Sequence, residues 1–127
     1  MLKENWSYKR GDIYKVNLNP HRGSEQGGTR PVIVLQNNVG NYFSSTLVVA
    51  PLTSKVKSKK NLPTHYVIKN VPELAEESLV LLEQITTIDK SRVMEYIGKV
   101  SREEMKEIEK AIRVSLGFEI PAEIEAP

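Results

Sequence analysis

Residues 11–36 read GDIYKVNLNPHRGSEQGGTRPVIVLQ, two apolar runs separated by a glycine-rich loop, and this stretch decides the fold. The first run alternates, with Tyr14, Val16 and Leu18 on one side, which is the period typical of a half-buried β-strand. The second run, residues 31–36, is continuous and β-branched, as expected of a strand covered on both faces. Its proline lies at the start, where a missing N–H costs least. The stretch therefore predicts two strands joined by a loop.

Further short strands are predicted downstream of this pair. Residues 37–41, NNVGN, contain turn-forming Asn and Gly, and residues 54–63, SKVKSKKNLP, hold four lysines and no acid, which is typical of a basic loop. The additional strands are expected at residues 46–53, 64–69 and 78–84, with a short terminal strand around residues 96–100. Strands this short and closely spaced indicate a mainly β fold of the small barrel or sandwich kind.

One C-terminal α-helix is predicted at about residues 101–117. Ser101 is followed three residues later by Glu104, the capping-box pattern of a helix start, and Gly117 suits the C-terminal cap. Apolar side chains recur at helical spacing and form a stripe for packing on the sheet: Met105, Ile108, Ile112 and Leu116. The acids among residues 103–109 are expected to lie on a solvated face without a chemical role.

The composition limits the class of protein. At 127 residues the chain is expected to be one domain, residues 1–127, with a core at 9–117, an N-terminal extension at 1–8 and an acidic tail at 118–127. It has no cysteine and only two histidines, far apart in sequence, so neither disulfides, a metal site nor a cofactor is expected. The start lacks a signal segment and no apolar run could span a bilayer, which predicts a soluble cytoplasmic protein without membrane contact.

Charge is divided unevenly along the chain, although the formal net charge is only +2. Residues 1–69 hold eleven Lys or Arg against three Asp or Glu, whereas residues 70–127 hold seven against thirteen. This asymmetry favours a basic face for a polyanion. The alternative is a solvated acidic helix that happens to lie at the C-terminus.

The loop GSEQGGTRP, residues 23–31, carries more chemistry than a turn between strands requires. Arg30 precedes a proline, which favours extended backbone, and its guanidinium presents a fixed fork of donors that suits phosphate oxygens. Gly27 and Gly28 permit close approach of the backbone and could turn their amides toward an anion. On the residues alone, the alternative is a flexible loop with a surface pair of Glu25 and Arg30. The pattern is not a Walker A loop, because it lacks Gly-Lys-Ser/Thr and leads into a strand.

Five segments together resemble one known family: GDIYKVNLNP, GSEQGGTRPVIVLQN, VVAPLTS, LPTH and LLEQITTIDKSRV. They are similar to the MazF/PemK endoribonuclease toxins of toxin–antitoxin systems, with the Gram-positive MazF type most similar, over roughly residues 9–117. The resemblance implies a compact SH3-like β-barrel (CcdB/PemK/MazF-like) with a C-terminal helix, working as a symmetric homodimer. It also implies sequence-specific, metal-independent cleavage of single-stranded RNA by the adjacent 2′-hydroxyl, giving 2′,3′-cyclic phosphate and 5′-hydroxyl ends. A cognate MazE-like antitoxin is the implied inhibitor.

The resemblance assigns catalytic residues as well. The functional arginine of the family falls on Arg30, its functional threonine on Thr53 and the glutamate of GSEQ on Glu25. Arg30 and Thr53 suit the charge that develops on phosphorus during cleavage. The general base stays open between Glu25, the better base on first principles, and Arg30, whose guanidinium remains protonated near neutral pH.

A wider set is expected to hold the RNA: Ser24, Gln26, Gly27, Gly28, Asn37, Lys55, Lys57, Glu83 and Gln84. Ser24 and Gln26 flank the candidate acid, and the lysines attract phosphates without sequence preference. The alternative for Glu83 and Gln84 is a polar pair at the end of a strand, and for the lysines a solubilising loop. His65 is expected to be structural.

Two other functions are compatible with such a fold: a CcdB-like toxin that binds gyrase, and a noncatalytic SH3-like module that binds RNA or peptide. A gyrase binder of that type needs a C-terminal hydrophobic anchor, whereas this chain ends in EIEAP and its one tryptophan is Trp6. The loop GSEQGGTRP together with Thr53 favours the ribonuclease.

Overall fold

The computed structural model describes residues 2–56 and 62–121. Within these ranges the elements follow in the order β1 (Asp12–Asn17), β2 (Thr29–Val34), α1 (Asn38–Phe43), β3 (Thr46–Thr53), β4 (His65–Ile68), β5 (Ser78–Leu81), a 3-10 turn at Leu82–Gln84, β6 (Thr86–Asp89), a 3-10 turn at Lys90–Arg92, β7 (Val93–Lys99) and α2 (Arg102–Ser115). The predicted mainly β fold with a C-terminal helix is confirmed.

The strands form an antiparallel sheet in the order β4-β5-β3-β2-β1-β7, with β6 added beside β3. β3 lies at its centre and pairs with β2 along one edge. Along its other edge, the first half of β3 pairs with β6 and its last two residues pair with β5. Because β6 and β5 pair with successive parts of the same edge of β3, the sheet curves toward a barrel. The hydrogen bonds of the described strands do not close it into a ring.

Apolar side chains cover both faces of the sheet. One cluster lies between the sheet and α2 and includes Ile13, Ile33, Ala50, Leu52, Val80, Leu82, Met105 and Ile108. The second core cluster, on the opposite face, holds Tyr14, Val16, Val32, Val34, Leu47, Val49 and Ile88. Residues 32–34 are fully buried, which confirms that β2 is covered on both faces. β1, predicted to be half-buried, is instead buried on both faces at Ile13 and Tyr14, because successive side chains enter opposite clusters.

The N-terminal extension belongs to the fold, since Leu2, Trp6 and Tyr8 pack against the second core cluster. The Trp6 indole donates to the Tyr14 hydroxyl at 2.8 Å, and this hydroxyl donates to Asp12 Oδ2 at 2.6 Å. Burial raises the pKa of the Asp12 carboxyl, while the bond from Tyr14 opposes that shift. A buried polar chain thus joins the extension to β1.

The turn predicted at residues 37–41 is wrong, because Asn37 caps the helix α1 and the residues after it form the start of that helix. The Asn37 side chain accepts from the Gly40 amide at 2.8 Å and caps the helix. Asn41, 1% exposed, donates to the Gln36 carbonyl and to Asn38 Oδ1. Asn and Gly have low intrinsic helix propensity, so the helix depends on these side-chain bonds.

The structure confirms the predicted caps of the C-terminal helix, but the predicted solvated face is wrong at one residue, Glu104. The Ser101 hydroxyl accepts from the Glu104 amide at 3.1 Å, and Gly117 has a φ of +80°, as an αL cap requires. Glu104 was expected on the solvated face, but it is only 4% exposed. Its Oε1 accepts from the Tyr66 hydroxyl and from the Lys69 amide, both at 2.8 Å, so its carboxylate fastens the helix to the end of β4.

One further predicted strand is shorter than expected, and two predicted segments lie partly outside the described residues. The strand predicted at residues 78–84 stops at Leu81, where the chain enters a 3-10 turn. Residues 57–61, half of the predicted basic loop and including Lys57, lie outside the described residues, as do residues 122–127 of the tail. Among the helices of the described ranges, none has the length and apolar character needed to cross a membrane.

Candidate functional site

Arg30 and Thr53 lie at neighbouring strand ends on one face of the sheet. The paired residues of β2 and β3 run from Val34 opposite Val49 to Val32 opposite Pro51, and Arg30 and Thr53 each lie two residues beyond that last pair, at the same end of it. Directly opposed residues of an antiparallel pair project to the same side. Val32 belongs to the second core cluster, and both candidate residues therefore lie at the rim of that cluster.

Hydrogen bonds to main-chain carbonyls hold the Arg30 side chain in this position. Its Nε donates to the Gly27 carbonyl at 2.9 Å, and its Nη1 donates to the Leu52 carbonyl at 3.3 Å. The second bond brings the guanidinium to the residue directly before Thr53. Two carbonyl acceptors stabilise the positive charge, and the remaining N–H groups of the fork can reach an anion.

Thr53 ends β3 and is 6% exposed. Its hydroxyl accepts from the Lys55 amide at 3.2 Å, which leaves the hydroxyl hydrogen as a donor. Since β3 also pairs with β5 at Thr53, the hydroxyl lies at a fixed point of the sheet. A hydroxyl donor at a fixed point of the sheet is suited to bind a phosphate oxygen.

Glu25 lies in the loop between β1 and β2, and its carboxylate is exposed. Its Oε1 accepts from the Arg22 amide at 2.6 Å, and its own amide donates to the Arg22 carbonyl at 3.1 Å. Within residues 2–56 and 62–121, no ion pair joins it to Arg30. The alternative of a surface pair between these two residues is therefore wrong.

The Gln84 side chain, at the end of the 3-10 turn Leu82–Gln84, contacts the loop that carries Glu25. Its Oε1 accepts from the Gln26 amide at 2.8 Å, and its Nε2 donates to the Ser24 carbonyl at 3.4 Å. The two contacts flank Glu25 in the chain. Gln84, expected among the RNA contacts, thus has both ends of its amide directed at the protein backbone.

An open groove of about 560 Å³ lies between the loop and the segment that contains Gln84. Five of the predicted RNA-site residues line it, Ser24, Glu25, Gln26, Glu83 and Gln84, together with Thr86 and Thr87. Pro51 of β3, two residues before Thr53, also lines the groove, whereas Arg30 and Thr53 themselves do not.

The basic face expected from the charge asymmetry is not gathered in this groove. The charged residues that line the groove include one arginine, Arg92, and two acids, Glu25 and Glu83. Elsewhere, Arg10 pairs with Glu109 at 2.9 Å, and Lys15 lies 3.8 Å from Glu95. Tertiary pairing thus offsets part of the positive charge of the first half of the chain.

Arg92 is a groove residue that the sequence did not single out. Its Nη1 donates to the carbonyls of Asn17 and Asn19, where β1 passes into the loop. Arg92 comes three residues after the end of β6. Its contacts with Asn19 and Asn17, which lie 73 and 75 positions earlier in the chain, depend on the pairing of β7 with β1. No local sequence signal could have predicted it.

The two glycines of the loop have different local roles. Gly28 has a φ of +74°, and its amide donates to Asn19 Oδ1 at 2.9 Å, so it is not directed at an anion as the sequence suggested. A Cβ at Gly27 would overlap the His21 ring, which packs over that position. A side chain at Gly27 would therefore force the exposed His21 ring to move.

The other predicted RNA contacts are more scattered. Asn37 caps α1 at the opposite end of β2 from Arg30, so the structure does not bring it to this cluster. Lys55 is exposed two residues after Thr53, while Lys57 lies outside the described residues. Glu83 Oε2 lies 2.8 Å from His65 Nε2, and the His65 side chain is only 2% exposed, in keeping with a structural histidine. In the described part of the chain, no three His, Asp or Glu side chains come together as a metal site.

Comparison with known proteins places the chain among bacterial toxins. The profile of the PemK-like, MazF-like toxins of type II toxin–antitoxin systems matches residues 9–116. The Endoribonuclease MazF of Staphylococcus saprophyticus is 46% identical over 111 residues, which are 87% of this chain and 92% of that protein.

Solved structures of low sequence identity show the same fold. MazF from Deinococcus radiodurans superimposes with a TM-score of 0.75 at 24% identity, covering 89% of this chain and 99% of that chain. A mycobacterial endoribonuclease in complex with its cognate antitoxin gives 0.75 at 24% identity, covering 90% of this chain and 99% of that one. With a family match over nearly the whole chain, this protein belongs to the PemK-like, MazF-like toxins of type II toxin–antitoxin systems.

Proposed function

We propose that this protein is an endoribonuclease that cleaves single-stranded RNA at short sequences, with Arg30, Thr53 and Glu25 as its catalytic residues. The relative from Staphylococcus saprophyticus, 46% identical, is named an endoribonuclease. The observation that carries the proposal is the bond of Arg30 Nη1 to the Leu52 carbonyl at 3.3 Å, which holds the guanidinium against the backbone of the residue directly before Thr53.

The reaction needs little more than positioning and charge stabilisation. The 2′-oxygen attacks the adjacent phosphorus, the bond from phosphorus to the 5′-oxygen breaks, and the products carry a 2′,3′-cyclic phosphate and a 5′-hydroxyl. Arg30 stabilises the negative charge on the non-bridging oxygens, and the Thr53 hydroxyl donates to one of them. In-line placement of an internal nucleophile supplies several kcal/mol more.

The 2′ proton requires a base, and the structure favours Glu25 over Arg30 for this role. The Arg30 guanidinium donates to two carbonyls through Nε and Nη1, and a guanidinium offers no acceptor for a proton. Glu25 keeps one carboxylate oxygen beyond the bond from the Arg22 amide and faces the groove. A carboxylate within reach of the 2′-hydroxyl is a competent acceptor of its proton.

The groove is the site for unpaired bases next to the scissile phosphate. Its hydroxyl, amide and carboxylate groups offer donors and acceptors to base edges, which single-stranded RNA exposes freely. The Lys55 ammonium adds attraction for phosphates that depends on salt concentration. A cognate MazE-like antitoxin inhibits the enzyme by covering this groove, and the active form is a cytoplasmic homodimer with two such sites.

Cleavage of a mixed-sequence RNA in EDTA, followed by mapping of the fragment ends, tests the proposal. Discrete cuts with cyclic phosphate and 5′-hydroxyl ends are expected from the wild-type protein. Arg30→Ala should lower kcat by at least about 10³-fold, since removal of one preorganised donor alone costs about 10²–10³. Arg22→Ala removes the same charge from the exposed loop that precedes Arg30 and should keep kcat within about threefold.

Two results would contradict the assignment. Intact RNA after incubation with folded, antitoxin-free wild-type protein would exclude the ribonuclease and favour a binding module or a gyrase-binding toxin. Cleavage by Arg30→Ala at the wild-type rate, with unchanged circular dichroism, would remove Arg30 from the site.

A further inference from the structure

We infer that Gln84 is a positioning residue, which holds the backbone on both sides of Glu25 and thereby places that carboxylate for proton transfer. The inference rests on the proposed ribonuclease function. It assigns to Gln84 a role different from contact with RNA.

The contact has two parts that match the polarity of the loop backbone. Gln84 Oε1 accepts from the amide of Gln26, the residue after Glu25, at 2.8 Å. Gln84 Nε2 donates to the carbonyl of Ser24, the residue before Glu25, at 3.4 Å. One side-chain amide therefore restrains the peptide groups that lead into and out of the candidate base.

Bonds to other parts of the fold fix the two ends of the loop, whereas at its tip Glu25 is bonded, within the described part of the chain, only to Arg22 of the same loop. Arg92 holds the carbonyls of Asn17 and Asn19 at the start, and Arg30 holds the Gly27 carbonyl at the end. Among the hydrogen bonds of the described ranges, Gln84 is the one side chain outside the β1–β2 segment that reaches residues 22–26. Loss of Gln84 should release the tip while the two ends of the loop stay in place.

The segment that carries Gln84 is itself well anchored. The Leu82 amide donates to the Thr64 carbonyl at 2.9 Å, and the Ser115 hydroxyl of α2 donates to the Leu82 carbonyl at 2.6 Å. Glu83 is bonded to the buried His65 on β4 at 2.8 Å. The amide of Gln84 thus extends from a short turn fixed to both the sheet and the helix, a rigid base from which to position a catalytic group.

Hydrogen exchange in the free protein tests the contact without reference to activity. Gln84→Met keeps the size of the side chain and removes both hydrogen bonds. The Gln26 amide should then exchange about tenfold faster, the factor expected for one lost hydrogen bond, while amides of β3 keep their wild-type rates. The control Thr87→Val changes an exposed residue of the same groove and should leave Gln26 exchange unchanged.

Kinetics test whether the contact acts through Glu25. Gln84→Met should lower kcat by about 10²-fold, with KM and the preference among RNA sequences unchanged, because a misplaced catalytic group slows every substrate alike. In a Glu25→Gln background, the same substitution should lower kcat by less than about threefold, since the group that Gln84 positions is already absent.

Gln84→Glu, which keeps an acceptor for the Gln26 amide, should restore most of the slow hydrogen exchange of that amide.

Each contrary outcome overturns a stated part of the inference. Unchanged Gln26 exchange in Gln84→Met would refute the backbone contact. A raised KM or an altered sequence preference would make Gln84 a reader of RNA, and a full additional loss in the Glu25→Gln background would show that it acts independently of Glu25. A wild-type protein that cleaves no RNA would refute the proposed function and the catalytic role of Gln84, while the exchange result would still decide the contact with the loop.

Discussion

The substitution Tyr14→Phe isolates one buried hydroxyl that links the N-terminal extension to the sheet. Tyr14 is fully buried; its hydroxyl donates to Asp12 Oδ2 at 2.6 Å and accepts from Trp6 Nε1 at 2.8 Å. A hydrogen bond to a charged group is worth about 1.5–3 kcal/mol and a neutral one about 1 kcal/mol. Because Trp6 is only half-buried and can regain water, we expect a loss of about 2–4 kcal/mol in unfolding free energy at pH 7.5.

The loss should depend on pH with a defined sign. Burial raises the pKa of Asp12 above its ordinary value, and the Tyr14 bond lowers it, so removal of the hydroxyl raises that pKa further. A carboxyl with a raised folded pKa favours the folded state at acid pH, and this contribution is lost as the pH rises through the folded pKa. The cost of Tyr14→Phe should therefore be smaller at pH 4.5 than at pH 7.5.

Urea denaturation at fixed protein concentration provides the assay, with Trp6, the single tryptophan, as the fluorescent probe and circular dichroism as the second signal. Tyr8→Phe is the matched control, since its ring lies 5.1 Å from the Tyr14 ring but its hydroxyl has no hydrogen bond within the described residues. It should change stability by less than about 0.5 kcal/mol. A loss below about 1 kcal/mol for Tyr14→Phe, or equal losses at both pH values, would refute the reasoning.

Three further substitutions have defined outcomes. Glu104→Ala removes the acceptor for the Tyr66 hydroxyl and should lower the unfolding free energy, measured by urea denaturation, by about 3–5 kcal/mol. Glu104→Gln keeps an acceptor and should cost less than half as much. Equal losses for the two variants would contradict the anchoring role. Gly27→Ala displaces the His21 ring and should lower kcat more than tenfold while changing stability by less than about 1 kcal/mol, and wild-type kcat would show that the loop tolerates the shift. Thr53→Val keeps the shape and removes the hydroxyl, so single-turnover cleavage should slow by about 10–10²-fold at unchanged melting temperature, and an unchanged rate would exclude Thr53 from the reaction.

Local pattern was sufficient for most of the secondary structure. β3 spans residues 46–53 as predicted, and α2, expected at residues 101–117, runs from Arg102 to Ser115 between its predicted caps. Strand alternation and helix capping depend on residues within one or two turns of the chain, so the sequence expresses them directly. The motifs of the resemblance predicted Arg30 and Thr53 as one site, which stays a prediction; in the structure Arg30 bonds to the carbonyl of Leu52, the residue before Thr53.

Long-range contacts decided what the local pattern could not. The sequence placed Glu104 on a solvated face, but it became a buried anchor because Tyr66 and the Lys69 amide lie against that point of the helix. Gln84 reaches a loop some 60 residues earlier in the chain, and Arg92 reaches carbonyls more than 70 residues earlier. The sequence alone therefore determined most of the strands, the C-terminal helix and the reactive residue types of this protein. Tertiary structure decided which polar side chains hold the loop, because those bonds exist only once distant segments have packed together.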